Sequence, residues 1–137
     1  MDFGCPHCSN PELKSAWEAC GSFVHVSEVV TEDHFIVALY ACPSCGQRFL
    51  RSFTEMINWG GGEDSQCVSL LPLTADECER VMAEKKNFDP RWLADCARER
   101  RHLVKLSPDP GAGRLARVVV QGGAVFWADG FHVEPHD

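Results

Sequence analysis

Residues 35–46 read FIVALYACPSCG, an apolar run that leads directly into a Cys-Pro-x-Cys-Gly turn. Residues 35–41 are apolar at odd and even positions alike, which is typical of a strand buried on both faces. In the turn, proline fixes φ and glycine permits the left-handed conformation that closes the loop, so both sulfurs can point at one ion. The stretch therefore predicts a central strand that ends in a metal-binding knuckle with ligands Cys42 and Cys45.

A second pair with the same spacing lies near the start of the chain, at residues 5–8, CPHC. Zinc prefers four soft ligands in a tetrahedron, and two such pairs supply them. The first pair is followed by Ser9 instead of glycine, and 33 residues separate Cys8 from Cys42. That separation exceeds the usual spacing of about 15–20 residues. It leaves other residues open as substitute ligands, and spacing alone does not separate zinc from iron. The substitutes are Cys20, His25 and His34.

The two knuckles resemble those of the zinc-ribbon superfamily, over roughly residues 3–57. In that superfamily two knuckles clamp one zinc ion between β-hairpins. The resemblance implies one structural zinc ion in an antiparallel β module. Its implied ligands are Cys5, Cys8, Cys42 and Cys45.

The CPHC tetrapeptide also resembles the active site of thioredoxin-fold oxidoreductases, where the motif follows a buried strand and opens a helix. Only four residues precede Cys5, and Ser9, Asn10 and Pro11 follow Cys8, so this context is missing. A catalytic zinc needs an open coordination position, which four thiolates do not leave. The pattern favours a structural metal over redox or hydrolytic chemistry.

The rest of the chain predicts an α+β protein with a zinc-ribbon-like antiparallel β module, two helices and a C-terminal β-meander. Thr74 and Glu77 form a capping-box pattern that starts the first helix. Asp89 and Pro90 start the second helix, which we expect to run to about Leu106. We predict the β module at residues 1–73 and the helices with the meander at 74–137, packed as one compact unit. The predicted strands are 24–30, 35–41, 47–57, 67–71, 115–121, 124–128 and 131–133.

Composition narrows the functional class. The net charge of −7 argues against a general nucleic-acid binder, because phosphate contacts need a basic face. A basic strip in the second helix is a candidate contact for an acidic partner, or simply complements the helix dipole. No apolar run is long enough to cross a membrane and the N-terminus lacks a signal-peptide pattern, so we expect a cytoplasmic protein. The basic strip comprises Arg98, Arg100, Arg101 and Lys105.

The preferred interpretation is a non-enzymatic protein-binding or regulatory module with a structural zinc, of the kind found as small bacterial proteins. A free edge of the C-terminal meander could pair with a second copy and form a homodimer. One alternative is an enzyme with a structural zinc, its site near His102 or His132. Another alternative is a nucleic-acid accessory factor that uses the basic strip.

Overall fold

The computed structural model describes residues 3–33, 35–56, 65–89, 91–107 and 117–121. Over these residues the chain is an α+β protein: a six-stranded antiparallel sheet whose spatial order follows the chain, with helices on both faces. The strands are β1 Val24–Glu32, β2 Phe35–Ala41, β3 Arg48–Met56, β4 Ser65–Leu73, β5 His102–Ser107 and β6 Arg117–Gln121. The helices are α1 Leu13–Cys20, α2 Ala75–Ala83 and α3 Arg91–Glu99, with a 3₁₀ turn at Lys85–Asn87.

The register of the sheet separates two packed faces. Leu39 of β2 lies opposite Leu50 of β3, which in turn lies opposite Leu71 of β4. Because side chains alternate along a strand, this row points to one face, and neighbours such as Phe49 and Leu70 point to the other. The predicted strand 35–41 is confirmed, and Phe35, Val37, Ala38 and Leu39 are buried. Ile36 is 37 % exposed, so the predicted burial of both faces holds only for part of the strand.

Helices α2 and α3 cover the first face and contribute Val81 and Leu93, both fully buried. The predicted capping box is confirmed: the amide of Glu77 donates to Thr74 Oγ1 over 3.2 Å, and the amide of Thr74 donates to Glu77 Oε1 over 2.8 Å. The sheet side of this core comprises Val29, Phe35, Val37, Leu39, Leu50, Cys67, Leu71, Leu73 and Val104.

The second face is covered at one end by α1 and by the two cysteine pairs. Its buried cluster joins α1, the knuckles and three central strands through Cys8, Ala16, Cys42, Phe49, Leu70 and Leu103. The ring of Phe23 stacks on that of Phe49 with centroids 4.7 Å apart. Cys8 and Cys42, one from each cysteine pair, are therefore continuous with a hydrophobic core that involves β3, β4 and β5.

Two sequence-based boundaries are wrong. The second helix does not reach Leu106: α3 ends at Glu99, and His102–Ser107 forms β5 beside β4. Residues 102–107 alternate between the two faces, so Val104, which also fits a helical spacing, packs as a strand residue. Strand β4 continues through Pro72 to Leu73, and Pro72 pairs with Phe49 in the register.

Strands from both predicted segments share the sheet, since β4 pairs with β5 and β5 with β6. The division at residue 73 stays a prediction. Of the predicted meander, the strand at Arg117–Gln121 is described, and residues 124–128 and 131–133 lie outside the described residues.

Candidate metal centre

The structure brings together four sulfur atoms, those of Cys5, Cys8, Cys42 and Cys45, all within 4.8 Å of one another. Four sulfurs about 2.3 Å from one zinc ion lie about 3.8 Å apart, at the corners of a tetrahedron. The Sγ atom of Cys8 is 3.8 Å from that of Cys5 and 3.7 Å from that of Cys45. These two separations match a tetrahedral four-thiolate site, and the 4.8 Å limit on the others places all four sulfurs around one point.

The second knuckle is the turn between β2 and β3. The amide of Cys42 donates to the carbonyl of Gln47 over 2.9 Å, and the amide of Gly46 donates to the carbonyl of Cys42 over 2.8 Å. Gly46 has φ +80°, as the sequence pattern predicts. The geometry of this knuckle therefore follows from a hairpin turn that the adjacent strands already define.

The first knuckle precedes α1 and closes differently. Its fifth residue, Ser9, donates its amide and its hydroxyl to the carbonyl of Cys5, over 2.9 and 2.7 Å. Among the described residues no side-chain-bearing residue has positive φ, and the glycine with that conformation here is Gly4, at +79°. A Cβ atom on Gly4 would lie 2.5 Å from Cys8 Sγ, well inside contact distance. Sequence reasoning missed Gly4, because it stands before the cysteine pair and not after it.

Gln47 bridges the two knuckles. Its side-chain oxygen accepts from the amide of Gly4 over 3.1 Å. Its side-chain nitrogen donates to the carbonyls of Arg48 and Leu73, each over 2.8 Å. One amide side chain thus connects the N-terminal segment, the β2–β3 turn and the end of β4.

Arg101 attaches the first knuckle to the start of β5. Its guanidinium donates from Nη1 to the carbonyl of Ser9 over 2.9 Å and from Nη2 to the carbonyl of Asn10. These carbonyls immediately follow Cys8, and the contact spans 92 and 91 residues of sequence. Paired donors in a rigid fork fix both the position and the orientation of the chain they hold.

The thiols of the first pair differ in their ionisation. Hydrogen bonds from the backbone amides of Cys8 and His7 lower the pKa of Cys5 to about 7. Burial raises the pKa of Cys8 above the ordinary range. A metal must therefore displace a proton from Cys8, which a divalent cation can do because thiolate is the ligand form.

Of the candidate substitutes, Cys20 and His25 are not members of the four-sulfur group, although Cys20 packs against the buried cluster that contains Cys8 and Cys42. Cys20 donates its thiol to the carbonyl of Ala16 within α1, and burial raises its pKa to about 12. His25 is exposed, and its ring meets that of Tyr40 edge-on at 5.3 Å. His34 lies outside the described residues.

The basic strip is divided among several structural contacts. Arg100 forms two hydrogen bonds with the carboxylate of Glu77, over 2.7 and 2.9 Å, and one with the carbonyl of Pro72. Its guanidinium also lies over the ring of Phe3 at 4.7 Å. The ammonium of Lys105 lies 5.4 Å from the centre of the Trp17 ring. The side chain of Arg98 lies outside the described part of the chain.

His102, a candidate for the enzyme alternative, is 2 % exposed, and its Nδ1 lies 3.3 Å from the carbonyl oxygen of Arg100. It stands at the start of β5, opposite Gln121 of β6 in the register, and it is one of the residues that line a cleft beside the first knuckle. His132 lies outside the described residues.

A cleft of about 760 Å³ adjoins the first knuckle. One wall is the segment from Phe3 to Pro11, the other is the α3–β5 connection, and Phe49 and Leu70 lie in its floor. The volume falls in the range of small-molecule sites. Arg101 and Cys8 both line it, so the guanidinium and the sulfur cluster share one concave surface.

The chain matches no protein-family model, and comparison with curated proteins and with solved structures likewise gave no match. No helix among the described residues has the length and apolar character needed to cross a membrane.

Proposed function

We propose that the protein binds one zinc ion through Cys5, Cys8, Cys42 and Cys45, and that the ion is structural. The observation that carries the proposal is the cluster of four sulfurs, all within 4.8 Å of one another, in which Cys8 Sγ lies 3.8 Å from Cys5 Sγ and 3.7 Å from Cys45 Sγ. An ion held there would connect the N-terminal segment to the β2–β3 turn. The likeness to zinc ribbons rests on the two knuckles, of which one lies in a hairpin and the other before a helix.

A structural role follows from the chemistry of the donor set. Four thiolates saturate a tetrahedral ion and leave no position for water or substrate. They also donate enough charge to make zinc a weak Lewis acid. We therefore propose a non-enzymatic module that presents a surface to another protein, acting in the cytoplasm, where reduced thiols persist. Support for the compartment is the thiol-rich composition, eight cysteines in 137 residues.

Metal analysis of purified protein tests the zinc proposal. We expect one zinc per chain in the wild type and in Cys20→Ser, which removes a half-buried thiol outside the group. Cys42→Ser should lose most of the metal, because a serine hydroxyl is a poor zinc ligand at neutral pH. A full equivalent of zinc in folded Cys42→Ser would overturn the assignment of the ligands. Iron in the purified wild type, with no zinc, would show a rubredoxin-like site and would overturn the choice of metal.

The protein-binding proposal needs a separate test. Affinity capture from the native host, using zinc-loaded protein as bait, should retain a partner that the metal-stripped protein does not retain. Equal recovery of that partner with both forms would show that the interaction does not depend on zinc. Turnover of any substrate by the purified protein would favour the enzyme alternative.

A further inference from the structure

Among the described residues, Arg101 connects the first knuckle to the start of β5 through two hydrogen bonds from one side chain. The accepting carbonyls belong to Ser9 and Asn10, directly after Cys8. Cys8 is the innermost sulfur of its pair, 4 % exposed, so its position decides whether the tetrahedron forms. Other contacts that hold this segment are the hydrogen bond from Gly4 to Gln47 and the packing of Cys8 in the buried cluster with Cys42.

The partners of Arg101 also matter electrostatically. The carbonyls that accept from Arg101 are neutral, whereas the neighbouring Arg100 is matched with the carboxylate of Glu77. Four thiolates around a divalent ion carry a formal charge of about −2. Arg101 and the first pair of cysteines line the same cleft, so its positive charge acts on the site through a partly desolvated region.

We infer that Arg101 is a positioning residue of the metal site: it holds the first knuckle in the binding-competent position and so sets the affinity for zinc. This inference rests on the proposed function. In the metal-free protein the first knuckle exchanges between a docked and an undocked state, and the apparent dissociation constant is the intrinsic one divided by the docked fraction. The two hydrogen bonds raise that fraction before the ion arrives.

The inference assigns Arg101 a role different from contact with an acidic partner. A residue that serves only as a surface cation would be replaceable without effect on the metal. A residue that only stabilises the fold would change the melting temperature of both forms by similar amounts and leave zinc affinity unchanged. Replacement of a positioning residue lowers the zinc affinity, and it therefore reduces the increase in melting temperature that zinc produces.

The experiment measures the zinc dissociation constant by competition with a chelating dye, and the melting temperature with and without zinc. The variants are Arg101→Gln and Arg101→Lys, with Arg91→Gln as the matched control. Arg91 is an exposed arginine whose partner is Asp89, and its loss changes the net charge by the same amount. Cobalt(II) substitution adds a spectroscopic signature, because four-thiolate coordination gives characteristic charge-transfer absorption.

We expect Arg101→Gln to raise the zinc dissociation constant by about 10- to 100-fold, because two charge-assisted hydrogen bonds are lost. Arg101→Lys should lie between, because lysine keeps the charge and loses the fork. Arg91→Gln should stay within about twofold. The cobalt spectrum of saturated Arg101→Gln should remain that of a four-sulfur site.

The outcomes separate this inference from the proposed function. A wild-type protein that binds no zinc defeats the proposed function. Wild-type zinc affinity in Arg101→Gln, or full recovery in Arg101→Lys, defeats the positioning role while the zinc site stands. If Arg101→Gln does not fold, Arg101→Lys decides the matter: a dissociation constant equal to the wild-type value overturns the inference, and a raised one supports it.

Discussion

The two knuckles offer the same pair of sulfurs but are built in different ways. The second knuckle, 42–46, is the turn of a hairpin, closed by local bonds between Cys42 and Gln47 and between Gly46 and Cys42. The first knuckle, 5–9, is closed by two hydrogen bonds from Ser9 to the carbonyl of Cys5 and is held against the fold by distant partners, Arg101 at Ser9 and Gln47 at the adjacent Gly4. The comparison indicates that the second knuckle is formed by its own hairpin, whereas the first knuckle has to be held against it. The metal and the long-range hydrogen bonds are what join them.

Removal of the metal should have the largest and most unequal effect. After chelation we expect hydrogen exchange of the Ser9 amide to accelerate by a factor on the order of 100 or more, because the first knuckle opens locally. The amides of Cys42 and Gly46 should keep most of their protection, because the strands hold their turn. Peptide-resolved exchange by mass spectrometry measures both. Equal loss of protection in the two knuckles would contradict the expected difference in their stability without metal.

The two left-handed glycines allow a matched comparison. Gly4→Ala adds a methyl group 2.5 Å from Cys8 Sγ, whereas Gly46→Ala meets nothing within 4 Å and carries only backbone strain. We expect Gly4→Ala to weaken zinc binding by at least about 100-fold, because the displaced sulfur leaves its tetrahedral position. Gly46→Ala should lower the free energy of unfolding by about 1–2 kcal/mol, the cost of a left-handed residue that carries a Cβ. Competition titrations measure the zinc affinity of both variants, and denaturant unfolding measures their stability. Similar zinc affinities in the two variants would contradict the steric conflict expected between a Cβ on Gly4 and Cys8 Sγ.

The other face of the sheet should respond to pH without changing the metal stoichiometry. Burial acts to raise the pKa of Glu77, but the hydrogen bonds from Arg100 and from the Thr74 amide outweigh it and lower that pKa to about 2. Since the folded-state pKa lies below the ordinary value of 4.5, this stabilisation is present above about pH 4.5 and is lost as pH falls toward 2. Glu77→Gln should reduce the free energy of unfolding at pH 7 by roughly 1–3 kcal/mol, since it leaves Arg100 without its counter-charge.

The measurement is denaturant unfolding of the metal-free wild type and variant between pH 7 and pH 2. Glu79→Gln, an exposed neighbour on α2, is the control and should match the wild type closely. The difference between the wild type and Glu77→Gln should shrink toward pH 2. A constant difference across that range would mean that the carboxylate charge is not the source. Loss of zinc from Glu77→Gln at pH 7 would mean that the two faces are not separable.

The sequence was informative where the relevant contacts are local. The strand at 35–41, the second knuckle and the Thr74–Glu77 cap each depend on residues within a few positions of one another, so composition and spacing were sufficient to predict them. The strand at 102–107 was missed because a short alternating segment also fits one face of a helix. Its assignment depends on pairing with β4, which lies about 35 residues earlier in the chain.

The site shows the same limit. The four cysteines could be selected from their pairwise spacing, but neither Gly4 nor Arg101 has a local signal. Gly4 is needed because a sulfur four residues later approaches its backbone, and Arg101 because its hydrogen bonds reach more than 90 residues back. The contacts of Arg101 exist only once β5 is placed in the sheet, and the approach at Gly4 depends on the turn that the first knuckle adopts. The basic strip therefore has the composition of a binding patch, although Arg100 and Arg101 hold parts of this fold together.

The most direct test of the central claim is X-ray absorption at the zinc edge, measured on the protein as purified together with its metal content. The account predicts one zinc per chain, with four sulfur neighbours at about 2.3 Å and no nitrogen or oxygen in the first coordination shell. Fewer than four sulfurs, a histidine ligand, or purified protein that carries no metal and binds none when zinc is added would contradict it.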